Sequence, residues 1–61
     1  MKIEQSAGSI TLTSFADGYP IFTNIDFEGI TVISHATVND LHDMRYALDR
    51  QIAQIEQWQR K

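Results

Sequence analysis

Residues 30 to 60, ITVISHATVNDLHDMRYALDRQIAQIEQWQR, contain the change of period that decides the fold. Up to Ser34 the apolar residues alternate with polar ones, as in a half-buried strand. From Val38 onward there is no glycine or proline, and the residues are mostly good helix formers. Leu41, Met44, Leu48, Ile52 and Ile55 recur at spacings of three and four, which gathers them into one apolar stripe. Thr37 stands where an N-cap belongs. Asp40, three residues on, completes a capping-box pattern with a shorter acid than the usual Glu. Asp40 and Asp43 near the start, and Arg60 and Lys61 at the end, suit the helix dipole. A helix over about 38–60 follows.

Upstream of this stretch the period is two. In SITLTSF, residues 9–15, Ile10 and Leu12 alternate with Thr11 and Thr13. Ala16-Asp17-Gly18 is a turn signal, because glycine accepts positive φ without steric cost. Tyr19, Ile21, Thr23, Ile25 and Phe27 then share one parity, and Pro20, Phe22, Asn24, Asp26 and Glu28 the other. Pro20 cannot donate a hydrogen bond, so it belongs at a strand start or edge. Gly29 breaks the parity, and Ile30 and Val32 continue one position out of step. A turn within residues 24–29 is preferred over a bulge, giving a further strand at about 30–34. KIEQ, residues 2–5, supplies a short edge strand before a turn at Ser6-Ala7-Gly8.

The expected architecture is α+β: an antiparallel meander of three or four strands, residues 2–34, and one long C-terminal amphipathic helix packed on its face. Sixty-one residues make a single domain. A chain this short has a thin stability margin. Cysteine is absent, which removes disulfides and thiolate metal sites together. Self-association is the remaining source of stability. A 23-residue helix spans about 34 Å, whereas strands of five to seven residues span about 17–23 Å. The end of the helix therefore projects past the sheet, and Leu48, Ile52, Ile55 and Trp58 are the expected oligomer interface, joined in one variant by a sheet edge.

Charge narrows the class of partner. Between Lys2 and Arg45 there is no lysine or arginine, while Glu4, Asp17, Asp26, Glu28, Asp40 and Asp43 fall in that interval. Phosphate contacts need bases, so the sheet half is a poor nucleic-acid surface. The helix has Arg45, Arg50, Arg60 and Lys61, but Asp49 and Glu56 interleave them. No apolar run approaches the length of a membrane span, about 20 residues. The N-terminus lacks the continuous apolar segment of a secretory signal. A soluble cytoplasmic protein is expected, of a size typical of accessory proteins of phages and other mobile elements.

No catalytic constellation emerges. His35 and His42, with Asp40 and Asp43, are the one group that could be drawn as a metal site. His42 and Asp43 are adjacent and point about 100° apart on a helix, so no metal and no cofactor are expected. Asp26 and Glu28 share a parity, about 7 Å apart, but 61 residues offer little material for a cleft around them. Phe22 is the most informative single residue. It is either an exposed aromatic on an acidic face, fit to meet a basic partner, or a residue covered by a second subunit. The functional expectation is a non-catalytic protein-binding module, an inhibitor or regulator that occupies a surface of a larger protein through Phe22, Asp17, Asp26 and Glu28. Alternatives are a structural assembly subunit and a small-ligand binder with an intersubunit pocket.

Overall fold

The structure, a computed structural model, describes residues 1–15 and 20–60. Four strands form one antiparallel meander: β1 (Lys2–Ala7), β2 (Ile10–Phe15), β3 (Thr23–Phe27) and β4 (Ile30–Ala36), in spatial order β1-β2-β3-β4. The helix α1 (Val38–Gln59) follows after the single residue Thr37. The fold is α+β, as the change of period predicts. The Ala16–Gly18 turn signal lies outside the described residues, and β3 begins at Thr23, so Pro20 precedes the strand.

Two short turns set the register. Gly8-Ser9 joins β1 to β2, with Gly8 at φ +60° and Ala7 paired to Ile10. Glu28-Gly29 joins β3 to β4, with φ of 53° and 81° and Phe27 paired to Ile30. Two consecutive positive φ values match the right-handed twist of a hairpin. The expected turn is thus present, at the C-terminal end of residues 24–29. Gly29 meets the requirement freely. Glu28 does so against the steric preference of an L-residue with a Cβ.

Register then fixes two faces. Ile10 opposes Phe27 and Leu12 opposes Ile25, Ile25 opposes Ile33, and Phe27 opposes Ile30. These residues form one apolar face. On β4 the pairing is irregular twice. Val32 has no partner between the pairs Asp26/Thr31 and Ile25/Ile33, and Ser34 and His35 together stand opposite Asn24. Each bulge adds one residue to β4. Strict alternation from Ile30 would place Val32 and Ser34 on the apolar face; the first bulge places Ile33 there instead, and the second restores the parity that puts Ala36 there.

The helix is anchored by its first turn. Asp40 N–H donates to Thr37 Oγ1 at 3.2 Å, and Thr37 N–H donates back to Asp40 Oδ2 at 3.0 Å. The capping box read from the sequence is formed. Arg60 is the C-cap, one residue beyond the helix, and Lys61 lies outside the described residues. Among the described residues only Thr23 and Ala36, which pair with each other, are buried, each 4% exposed. Ser14 and Thr23 join their hydroxyls at 2.6 Å, so the buried Thr23 oxygen has a partner.

The expected packing of α1 onto the sheet is where the structure departs most from the sequence reading. Beyond its start next to β4, the helix stands off the sheet. An apolar cleft of about 590 Å³ runs between Ile10, Leu12, Ile25 and Ile33 on the sheet and Leu41, Met44, Leu48 and Ile52 on the helix. The reason is the short connection, since the single residue Thr37, at φ −81° and ψ 169°, sets both where the helix starts and the direction in which it leaves β4. The chain exposes 5333 Å², against about 4,000 Å² for a compact monomer of 7.0 kDa. Its radius of gyration is 13.9 Å, where a compact 61-residue domain has about 10.5 Å.

Two substitutions test these local arguments. Thr37→Ala should cost about 1 kcal/mol of stability in urea denaturation by removing the cap. Glu28→Asn should add about 0.5 kcal/mol, because asparagine tolerates the positive φ of this turn position better.

Candidate functional site

The sheet face opposite the cleft carries the residues with chemistry. Register places Lys2, Glu4 and Ser6 of β1, Thr11, Thr13 and Phe15 of β2, Asn24 and Asp26 of β3, and Thr31 of β4 on it. Alternation in β2 dictates this division, since Ile10 and Leu12 take the other face. The polar residues are organised in rows across the strands. Ser6 and Thr11 share a hydrogen bond of 3.1 Å, and Thr31 Oγ1 donates to Asp26 Oδ1. Asp26 is therefore held by its neighbour while still partly open to solvent. Lys2 Nζ lies 3.8 Å from Glu4 Oε2, so the base on this face is neutralised locally. Both groups are well exposed, and such a pair adds little stability.

One end of the face is aromatic. Phe15, Pro20, Phe22, Asn24 and His35 line a shallow depression of about 200 Å³. The Phe22 and His35 rings meet edge to face, with centroids 5.4 Å apart and planes at 75°, an arrangement favoured by the ring quadrupoles. His35 is positioned by the second β4 bulge. Its φ is 61°, and its backbone N–H donates to Asn24 Oδ1 at 3.2 Å. A backbone amide that a regular strand would turn elsewhere is thereby satisfied by a side chain of β3. Phe22 remains 37% exposed.

The structure brings some of the expected site residues together and separates others. Phe22 lies next to Asn24, and Asp26 follows one row along β3. Glu28 is at the hairpin tip, six residues from Phe22, or about 20 Å along an extended chain. Asp17 lies outside the described residues. Phe15 and His35 were not singled out as partners of Phe22. Phe15 shares the parity of Thr11 and Thr13, which is readable in the sequence. His35 falls on the same face by strict alternation from Thr31; what the residues do not announce is the second β4 bulge that sets its backbone at positive φ.

His42 is on the exposed helix surface, away from the bulge that holds His35. Among the described residues there is no group of three or more His, Asp or Glu able to hold a metal ion. On the helix surface, Arg50 lies over the Tyr46 ring at 5.5 Å and donates to its hydroxyl at 3.3 Å, a local i, i+4 pair. The expected interface residues Leu48, Ile52, Ile55 and Trp58 are all exposed, Leu48 by 60% and Trp58 by 66%. Leu48 and Ile52 line the cleft; Ile55 and Trp58 lie on the helix beyond it.

No helix among the described residues is long and apolar enough to cross a membrane. Comparison with protein families, with curated proteins and with solved structures finds no match for this chain.

The bond from His35 to Asn24 gives a local test. Asn24→Ala should speed amide exchange at His35 about fivefold, as expected for a hydrogen bond worth about 1 kcal/mol. Exchange at the Thr37–Asp40 cap should be unchanged.

Proposed function

We propose that the chain is a non-catalytic protein-binding module of the cytoplasm, an inhibitor or regulator that occupies a surface of a larger protein and works as a homo-oligomer. The observation that supports this reading is the aromatic depression on the open sheet face, with Asp26 in the next row. A partly exposed aromatic braced by neighbouring rings is a preorganised anchor, because little side-chain freedom is lost when a partner covers it. Asp26, one row along from Asn24, favours a partner with basic character. Lys2, the one base on that face, is already opposed by Glu4. Glu28 adds to the argument, since a glutamate at positive φ sacrifices local stability that glycine or asparagine would keep.

Affinity capture from source cells, with the wild-type chain, Phe22→Ala and Asp26→Lys/Glu28→Lys compared side by side, tests this reading. One protein should be captured by the wild type, and its recovery should fall at least tenfold with either variant. Its capture should also weaken with added salt. Equal recovery by all three chains, each with native circular dichroism, would remove the open face as the binding surface. It would favour the second reading, a structural assembly subunit, for which the unsatisfied apolar cleft is the supporting observation.

A further inference from the structure

We propose that the cleft between the sheet and α1 is the interface with a second copy of this chain, the two helices lying antiparallel across a two-fold axis that passes between Arg45 and Asp49. This deepens the self-association in the reading above by giving it a surface and a register. Three observations carry it.

The first is area. The chain exposes 5333 Å², about 1,300 Å² more than a compact monomer of its mass would. Two copies that each hide this excess bury about 2,600 Å² in total, within the range of obligate homodimers. The surplus on one chain is thus of the size that a subunit of an obligate homodimer hides.

The second is the chemistry of the walls. Ile10, Leu12, Ile25 and Ile33 face Leu41, Met44, Leu48 and Ile52 across about 590 Å³ of open space. Filling it requires apolar side chains from another element. The helix itself presents a stripe of them, and its end, with Ile55 and Trp58, extends beyond the sheet.

The third is charge. Arg45 and Asp49 border the same cleft, one helical turn apart, and neither forms an ion pair within the chain among the described residues. A two-fold axis between them sets Arg45 of each copy opposite Asp49 of the other, and an isologous interface makes that contact twice. A parallel pair would instead set arginine against arginine and aspartate against aspartate. The charges therefore specify the antiparallel arrangement.

Sedimentation equilibrium of the full chain at micromolar concentration should give twice the 7.0 kDa chain mass. Arg45→Asp and Asp49→Arg, each alone, should raise the dissociation constant about tenfold, since two attractive contacts become repulsive. The double swap restores opposite charges across the axis and should return the constant to the wild-type value. Both positions are exposed, so circular dichroism should show all variants folded. A monomer of 7.0 kDa overturns the proposal, as does a monomer that binds one anilinonaphthalene sulfonate per chain, which would assign the cleft to a small ligand. A dimer whose double swap is no tighter than the single variants overturns the antiparallel placement. Partner capture that survives in a monomer sinks this inference alone, whereas a dimer that captures nothing sinks the binding reading alone.

Discussion

The reciprocal hydrogen bonds between Thr37 and Asp40 are the interaction on which the rest of the molecule depends. They satisfy the first free amides of α1 and hold its opening turn one residue after the end of β4. A longer linker would let the helix lie down over Leu12 and Ile25 and close the core within one chain. A one-residue connection with a rigid cap does not. Burial is therefore confined to the junction, at Thr23 and Ala36, and the apolar surface of sheet and helix remains as two facing walls. Helix direction, set at the one-residue junction at Thr37, decides where the hydrophobic surface is left.

The second organising feature is the irregularity of β4. Seven residues of β4 run alongside five of β3, and the two extra residues have separate consequences. The bulge at Val32 carries Ile33 onto the apolar face opposite Ile25. The bulge at Ser34-His35 puts His35 at positive φ, where its ring meets Phe22, and restores the parity shifted by the first bulge, so that Ala36 pairs with Thr23 at the buried junction. One strand thus serves the cleft on one face and the aromatic depression on the other.

Much of this was legible in the residues. The antiparallel meander of three or four strands, the helix over about 38–60 and the capping box follow from periodicity and from Thr37-x-x-Asp40, because these are local rules with one dominant outcome. The Glu28-Gly29 turn was bracketed within residues 24–29 but not placed, because glutamate is not a residue that turn preferences would choose for positive φ. Bulges leave no reliable signature in a single sequence, so the role of Ile33 and the positive φ of His35 are hidden. Helix packing was misjudged for a different reason. An apolar stripe shows that a face needs cover, and does not show whether its own sheet supplies it. Phe22 was correctly placed opposite Ile25 by parity, but its companions Phe15 and His35 arrive from β2 and from the bulged strand.

The bulges on β4 also affect how the sheet meets other sheets. A free edge recruits further strands when it is regular and flat, and a bulge disrupts the hydrogen-bond ladder there. The sheet has two outer edges, and they are not equivalent. β4 is interrupted twice, whereas β1 pairs with β2 without a break over six residues. Strand addition is thereby directional, open on one side and obstructed on the other. A ladder that can extend from one edge only stops when two such edges meet, so the bulges work against fibrillar growth even though much of the apolar surface is uncovered.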